Sequence, residues 1–252
     1  MREGPVLEEL AAFSVEKIIE DVRVLLDLND VSESFLEPSS DEDDIETLTL
    51  DEIIESKIAD AARVIVRAAP LRLCGNGKAF GSTIAWESGA TYSSGYVQLP
   101  SDFMRLISFQ MSDWKYAVHT AITEDDAQYA QQHGDFAGLR GNPERPVVAL
   151  VEYPVGLALE FYSCKTTGAS VKRARYIPYP AIKKRNVVQE DEEESGALVA
   201  TTGKTIELPG KLLGAIEHYA AYLSATAIAE ENAEKVKGLM ATAMQLAEIE
   251  DK

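Results

Sequence analysis

The chain is poor in the residues that usually announce chemistry. Its two cysteines, Cys74 and Cys164, lie far apart with no CxxC or Cys/His spacing around them. A structural zinc site or a disulfide framework is therefore unsupported. The three histidines, His119, His133 and His218, are scattered singly, and each reads as a surface or capping residue. No apolar run approaches the ~20 residues that span a bilayer. The opening "MREGPVLEELAAF" carries two early acids, Glu3 and Glu8, where a secretion signal has a basic region and an apolar core. Positive charge is scarce as well. Against 42 Asp and Glu stand 24 Lys and Arg, a net charge of −18 over 252 residues. A protein that neutralises phosphates to hold nucleic acid is basic instead.

The spacings of familiar catalytic motifs are missing too. "CGNGKAFGS" (74–82) is the one glycine-rich loop that resembles a phosphate cradle. A P-loop needs Ser or Thr after its Gly-Lys, so that a hydroxyl reaches magnesium. Here Gly77 and Lys78 are followed by Ala79, and the next glycine after Gly75 and Gly77 is Gly81, which also breaks GxGxxG. The segment reads as a turn. No GxSxG nucleophile elbow occurs. The carboxylates concentrate in runs at 41–46 and 190–194, where water solvates them, instead of in two environments that split their pKa values. The expectation is a protein that is not an enzyme, with no catalytic residue, cofactor or metal.

Periodicity supplies the architecture. Residues 14–28 place Val15, Ile18, Ile19, Val22, Leu25 and Leu26 on one helical stripe, with Ser14 as N-cap. An acidic loop follows at about 29–48. Thr49 and Glu52 then form a capping box that opens a helix over about 50–69, with Ile53, Ile54, Ile58, Ala61, Ala62, Ile65 and Val66 on its buried face, stopped by Pro70. From about 71 to 207 short alternating segments broken by Gly and Pro predict an antiparallel β-rich lobe. "YVQL", "MRLISFQM" and "WKYAVHT" read as strands, "VVALVEY" and "LALEFYSC" as a hairpin, and "KRARYIPY" as a further extended piece. A short helix capped by Thr123-Glu124-Asp125-Asp126 and running through about 132 interrupts them, an acidic loop lies at about 189–196, and "ALVAT" with "TIEL" closes the sheet region. Helices return at about 210–228, with Leu212, Ile216, Tyr219, Ala220, Leu223 and Ala227 on one face, and at 231–249. The predicted fold is α+β: one domain, 1–252, with N- and C-terminal helices bundled and a central antiparallel β-rich insertion.

One pattern stands out inside the lobe: Leu99-Pro100-x-Asp102-Phe103-x-Arg105-Leu106, a proline-fixed entry into a long strand. Asp102 is placed to accept local amides, with Phe103, Leu106 and Phe109 in or beside the core. Together with "GNP" at 141–143 and "ELP" at 207–209 in the same order, this succession resembles the head–tail connector (adaptor) ring proteins of tailed bacteriophages, the short-tailed-phage type. The likeness covers roughly residues 50–250, and the two acidic loops depart from it.

The resemblance implies a homo-oligomeric ring of about twelve copies closed by heterologous contacts. Such a ring has the portal protein above and the tail or further neck ring proteins below. Genomic DNA passes through its channel without sequence-specific binding, and no membrane is involved. The implied place is the virion neck, after synthesis in the bacterial host cytoplasm. The competing expectation is a monomeric or peripheral virion binding module that forms no ring.

For subunit contacts the candidates are Arg173, Arg175, Tyr176 and Tyr179 on the one basic stretch, and Met240, Met244 and Leu246 on the last helix. The basic stretch has two other readings, a solvated face or a stacking surface for single strands that also uses Phe161 and Tyr162. The acids either line the channel or face solvent.

Overall fold

The structure, a computed structural model, describes residues 10–27, 49–81, 83–87, 93–134, 136–154, 156–190, 198–228 and 232–249. A short strand β1 (Ala11–Ser14) runs into helix α1 (Val15–Leu26), and α2 (Leu50–Ala68) follows. Strands β2 (Lys78–Ala79), β3 (Ile84–Glu87), β4 (Ser93–Gln98), β5 (Phe103–Met111) and β6 (Ile122–Thr123) lead to a short helix, α3 (Ala127–His133). Then come β7 (Val148–Tyr153), β8 (Gly156–Cys164), β9 (Val171–Pro178), β10 (Ile182–Glu190) and β11 (Leu198–Leu208). The chain ends in α4 (Leu213–Ala227) and α5 (Ala233–Leu246). The fold is α+β, with helices toward both ends and a β-rich centre.

Two compact units divide the chain: Met1–Gly75 with Pro180–Lys252, and Asn76–Tyr179. The lobe expected at 71–207 is therefore narrower. Strands β10 and β11 belong with the helices, because β11 takes β1 as its second neighbour. From Leu198 on, "ALVAT" and "TIEL" run as one continuous strand, the middle one of this three-stranded sheet, and do not close the sheets of the β unit. The expected loop at 29–48 lies outside the described residues. So does most of the second acidic loop, whose positions 189 and 190 are the last of β10.

In the helical unit the caps are those the sequence announces. Ser14 Oγ accepts from the Lys17 amide at 3.3 Å. The Glu52 amide donates to Thr49 Oγ1 at 3.4 Å, while Glu52 Oε2 accepts from the Thr49 amide at 2.8 Å. Val15, Ile18, Val22 and Leu26 are the buried stripe of α1, with Ile19 and Leu25 only half-buried. α4 packs against α1, α2 and α5. Its buried positions Ala215, Ala220, Ala221 and Ala225 are small enough for close helix approach. Tyr219 and Leu223 are half-buried and Ala227 is exposed, so the buried face lies nearer the alanines than expected. Residues 210–212 form a 3-10 turn headed by Pro209, which leads into α4.

In the β unit two sheets, β2-β9-β5 and β3-β4-β8-β7-β6, pack around one apolar cluster that draws on both. Pairing is antiparallel except between β6 and β7. "VVALVEY" and "LALEFYSC" pair as a hairpin, from Val148↔Phe161 to Tyr153↔Gly156. The expected strand "WKYAVHT" is not one: only Val118 bridges to Phe109. Trp114 turns into the core, and the Lys115 amide donates to Pro143 O at 2.9 Å, which pulls the segment off the ladder. Within the expected cap Thr123–Asp126, Asp126 is the residue that caps the short helix, and Thr123 is held in β6.

Candidate functional site

The Leu-Pro pattern builds a corner. β4 belongs to the five-stranded sheet and β5 to the three-stranded one, so residues 99–102 carry the chain between sheets. The Leu99 amide ends the first ladder on Leu157 O at 3.0 Å, and the Phe103 amide closes a turn on Pro100 O at 3.0 Å. Asp102 does not serve local amides. Its Oδ1 accepts from the Tyr176 hydroxyl at 2.7 Å, and its carbonyl accepts from the Tyr179 amide at 2.7 Å. Phe103 stacks on Tyr176 with centroids 5.8 Å apart, and Phe103, Leu106 and Phe109 are all buried in the cluster. Arg105 is half-buried on β5, opposite Ile177. The corner clamps β5 to β9 at its first residues.

"GNP" also has a local purpose. Asn142 Oδ1 accepts from the amides of Glu144 and Arg145, both at 2.9 Å, which folds a tight turn. That turn and residues 112–115 line a cavity of about 500 Å³ with Lys165 at its edge. Beneath it Asp113 Oδ2 accepts from the Lys165 amide at 2.6 Å, whereas Asp113 Oδ1 and Trp114 Nε1 are buried without a partner of normal geometry. Burial, and then the Asp113 carboxylate, push the Cys164 thiol up to about 12. It stays protonated, and both cysteines are buried and outside any disulfide among the described residues.

The basic stretch lies on β9, the middle strand of the sheet β2-β9-β5. Arg173 is exposed opposite Gln110, and Arg175 is half-buried opposite Ser108, donating weakly to Gly77 O at 3.4 Å. Tyr179 is 45 % exposed. Tyr176 is not a surface residue, and neither are Phe161 or Tyr162. Strand alternation sends Tyr176 inward beside Ala174, so the stacking surface reduces to Tyr179 alone. On α5, Met240 and Met244 are half-buried and Leu246 is 47 % exposed. Met240, Val236 and Tyr222 line an apolar groove of about 410 Å³ between α4 and α5.

A buried polar cluster escaped the sequence reading. Glu160, in the middle of β8, is 2 % exposed beneath α3. His133 Nε2 lies 3.4 Å from Glu160 Oε1, and the Tyr129 hydroxyl donates to Oε2 at a long 3.5 Å. The other ring nitrogen, His133 Nδ1, donates to Tyr129 O at 3.1 Å. His133 is thus more than a surface residue, and the contact fastens α3 to the sheet. His119 and His218 each bond one backbone carbonyl. Burial raises the Glu160 pKa from its ordinary value, with Glu87 adding to the rise, against the lowering pull of the Tyr162 hydroxyl and then of His133.

The sign of its effect on stability follows. A folded-state pKa above the unfolded one contributes stability at acid pH that is lost as pH rises through the folded value. Glu160→Gln is therefore expected to unfold later than wild type at pH above the raised Glu160 pKa, with the advantage vanishing as pH falls below the ordinary carboxylate range. Paired denaturation curves across that range check it; a pH-independent difference would reject the enclosed carboxylate. Among the described residues no three His, Cys, Asp or Glu side chains gather as a metal site, and no helix is long and apolar enough to cross a membrane.

A scan against protein-family models gives no match, and a search of curated proteins finds no relative.

Proposed function

We propose that the chain is a structural subunit of a tailed-phage neck, a ring component between portal and tail that extends the DNA channel. The carrying observation is the ordered motif series, whose most distinctive member is a corner in which Pro100, Asp102 and Tyr176 fix the strand entry. A ring subunit needs a reproducible backbone shape and lateral surfaces more than a reaction centre. Two such surfaces are exposed, Arg173 with Tyr179 on the β unit and the α4–α5 groove with Leu246 on the helical unit. Each copy adds a charge of −18, and an acidic wall lets DNA slide without adhering.

Negative-stain microscopy of the purified chain, alone and with its portal protein, is the test. Rings alone or on the portal are expected. Persistent small species that ignore the portal would remove the neck reading. Charge reversal at Arg173 together with Arg175 is expected to weaken ring closure at physiological salt; unchanged assembly would reject these arginines as the lateral contact.

A further inference from the structure

Helix α3 is tied to the β unit through few side chains. Of its seven residues only Gln132 is buried and Tyr129 half-buried, and the other five are exposed. A helix this short is marginal on its own, so packing decides whether it forms. Tyr129 packs against the small cluster of Ala149, Val151 and Tyr162 on β7 and β8. Gln132 Oε1 accepts from the Gly141 amide at 2.7 Å. A third tie is Glu160, reached by the Tyr129 hydroxyl at 3.5 Å and by His133 Nε2 at 3.4 Å.

The His133 ring is committed on both sides. Nδ1 faces Tyr129 O at 3.1 Å, a carbonyl that can only accept, so Nδ1 carries a proton. Nε2 faces a carboxyl oxygen. A neutral imidazole has one N–H, and here it is spent on Tyr129 O. The Nε2 contact therefore needs one further proton, held on Nε2 as imidazolium or on Glu160 Oε1 as carboxylic acid. Without it a lone pair faces a lone pair, beside a carboxylate that is 2 % exposed. A buried charge left unpaired in this way is costly.

The surrounding groups offer no substitute for that proton. Glu160 is faced by Tyr162 on its own strand, by Tyr153 from β7 and by Glu87 from β3. Tyr96 on β4 lies opposite it in register. From α3 come Tyr129 and His133, with Glu124 acting on Tyr129 from just before the helix. Of these groups only His133 can carry positive charge. Burial raises the pKa of Tyr129, Tyr153 and Tyr162, so their hydroxyls stay neutral while the pair titrates. Burial raises Glu160 as well, which keeps the shared proton in place to higher pH.

We propose that α3 is a proton-dependent latch on the five-stranded sheet: one proton shared between His133 Nε2 and Glu160 Oε1 holds the helix down, and loss of that proton to solvent as pH rises releases it. The docked state binds one proton more than the released state, so docking weakens with rising pH. The two groups titrate as a pair, and histidine is the side chain that ordinarily changes charge between about pH 5 and 8. Release uncovers Ala149, Val151 and Tyr162. The strands beneath keep their register, since β8 is paired with β4 and β7 and not with α3. The β unit thus has two outer faces, one on each side of the transition. The latch stands independently of the neck reading.

The experiment is hydrogen–deuterium exchange of the full chain from about pH 5 to 9, spanning the histidine range and corrected for the intrinsic pH dependence of exchange. The reporters are the amides of α3 and the Gly141 amide, which Gln132 covers. Their protection is expected to fall roughly tenfold or more as pH rises, the scale of one charge-assisted hydrogen bond, while β4 and β8 stay protected. Glu160→Gln supplies an amide that donates to Nε2 with no shared proton, and is expected to keep α3 protected at every pH. His133→Gln, at an exposed position, donates one neutral bond and is expected to move the loss to lower pH. Protection of α3 that stays level with pH in wild type overturns the proposal. So does a Glu160→Gln or His133→Gln profile that follows wild type, or a loss that β8 shares, which marks unfolding of the sheet and not release of a latch.

Discussion

Phe109→Ala is expected to destabilise the β unit by about 3–5 kcal/mol, the usual cost of emptying a large aromatic site in a core. Phe109 is fully buried, and its ring lies 5.6 Å from Trp114, 5.9 Å from Phe161 and 6.1 Å from Phe80. These rings come from both sheets and from the segments beside them, so relaxation around alanine has to move several at once. The backbone pair with Val118, 2.8 Å in each direction, survives the substitution and limits collapse of the gap. Since typical domains hold only about 5–15 kcal/mol, the unit would be left marginal. Both tryptophans, Trp86 and Trp114, lie in the β unit, so tryptophan fluorescence follows that unit alone. A loss below about 1 kcal/mol, the scale of an ordinary point substitution, would show that Phe109 does not anchor the two sheets.

The second large effect lies in the glycine-rich loop. Gly77→Ala is expected to cost about 2–4 kcal/mol, from left-handed strain plus overlap. Gly77 has φ of +56°, and an added Cβ would sit 2.2 Å from Tyr176 O and 2.4 Å from Ile107 Cδ1. The isoleucine tip can swing away. The carbonyl cannot, because Lys78 is in register with Tyr176 and a shift would undo the β2–β9 pairing. Gly81→Ala is the matched control, with no atom within 4 Å of its added Cβ and an expected change within about 0.5 kcal/mol. Equal midpoints for the two variants in fluorescence-detected denaturation would reject the close approach.

Both positions were legible in part. "CGNGKAFGS" reads as a turn because it lacks the residues of a phosphate loop, but nothing in the string tells which glycine lies against a carbonyl. Phe109 was expected in or beside the core together with Phe103 and Leu106, while its aromatic partners come from distant segments. Glu160 was invisible for a clear reason. In β8 every residue over 158–164 is buried, so the two-residue alternation that marks a half-exposed strand is absent. Tyr176 was misplaced by the opposite error, since neighbouring arginines made a buried ring look like part of a surface.

What the sequence determined by itself was local: the helix of 50–68 with its capping box, the Ser14 cap, the proline-fixed strand entry and the α+β order. These depend on contacts a few residues apart, which any conformation of the chain brings within reach. Only the tertiary structure decided that β10 and β11 join the helices, that Asp102 holds Tyr176, and that Glu160 lies under α3. Each of these joins residues tens of positions apart, and strand pairing carries no local signature of its partner. The choice is made by the apolar surface that pairing buries, a property of the folded whole.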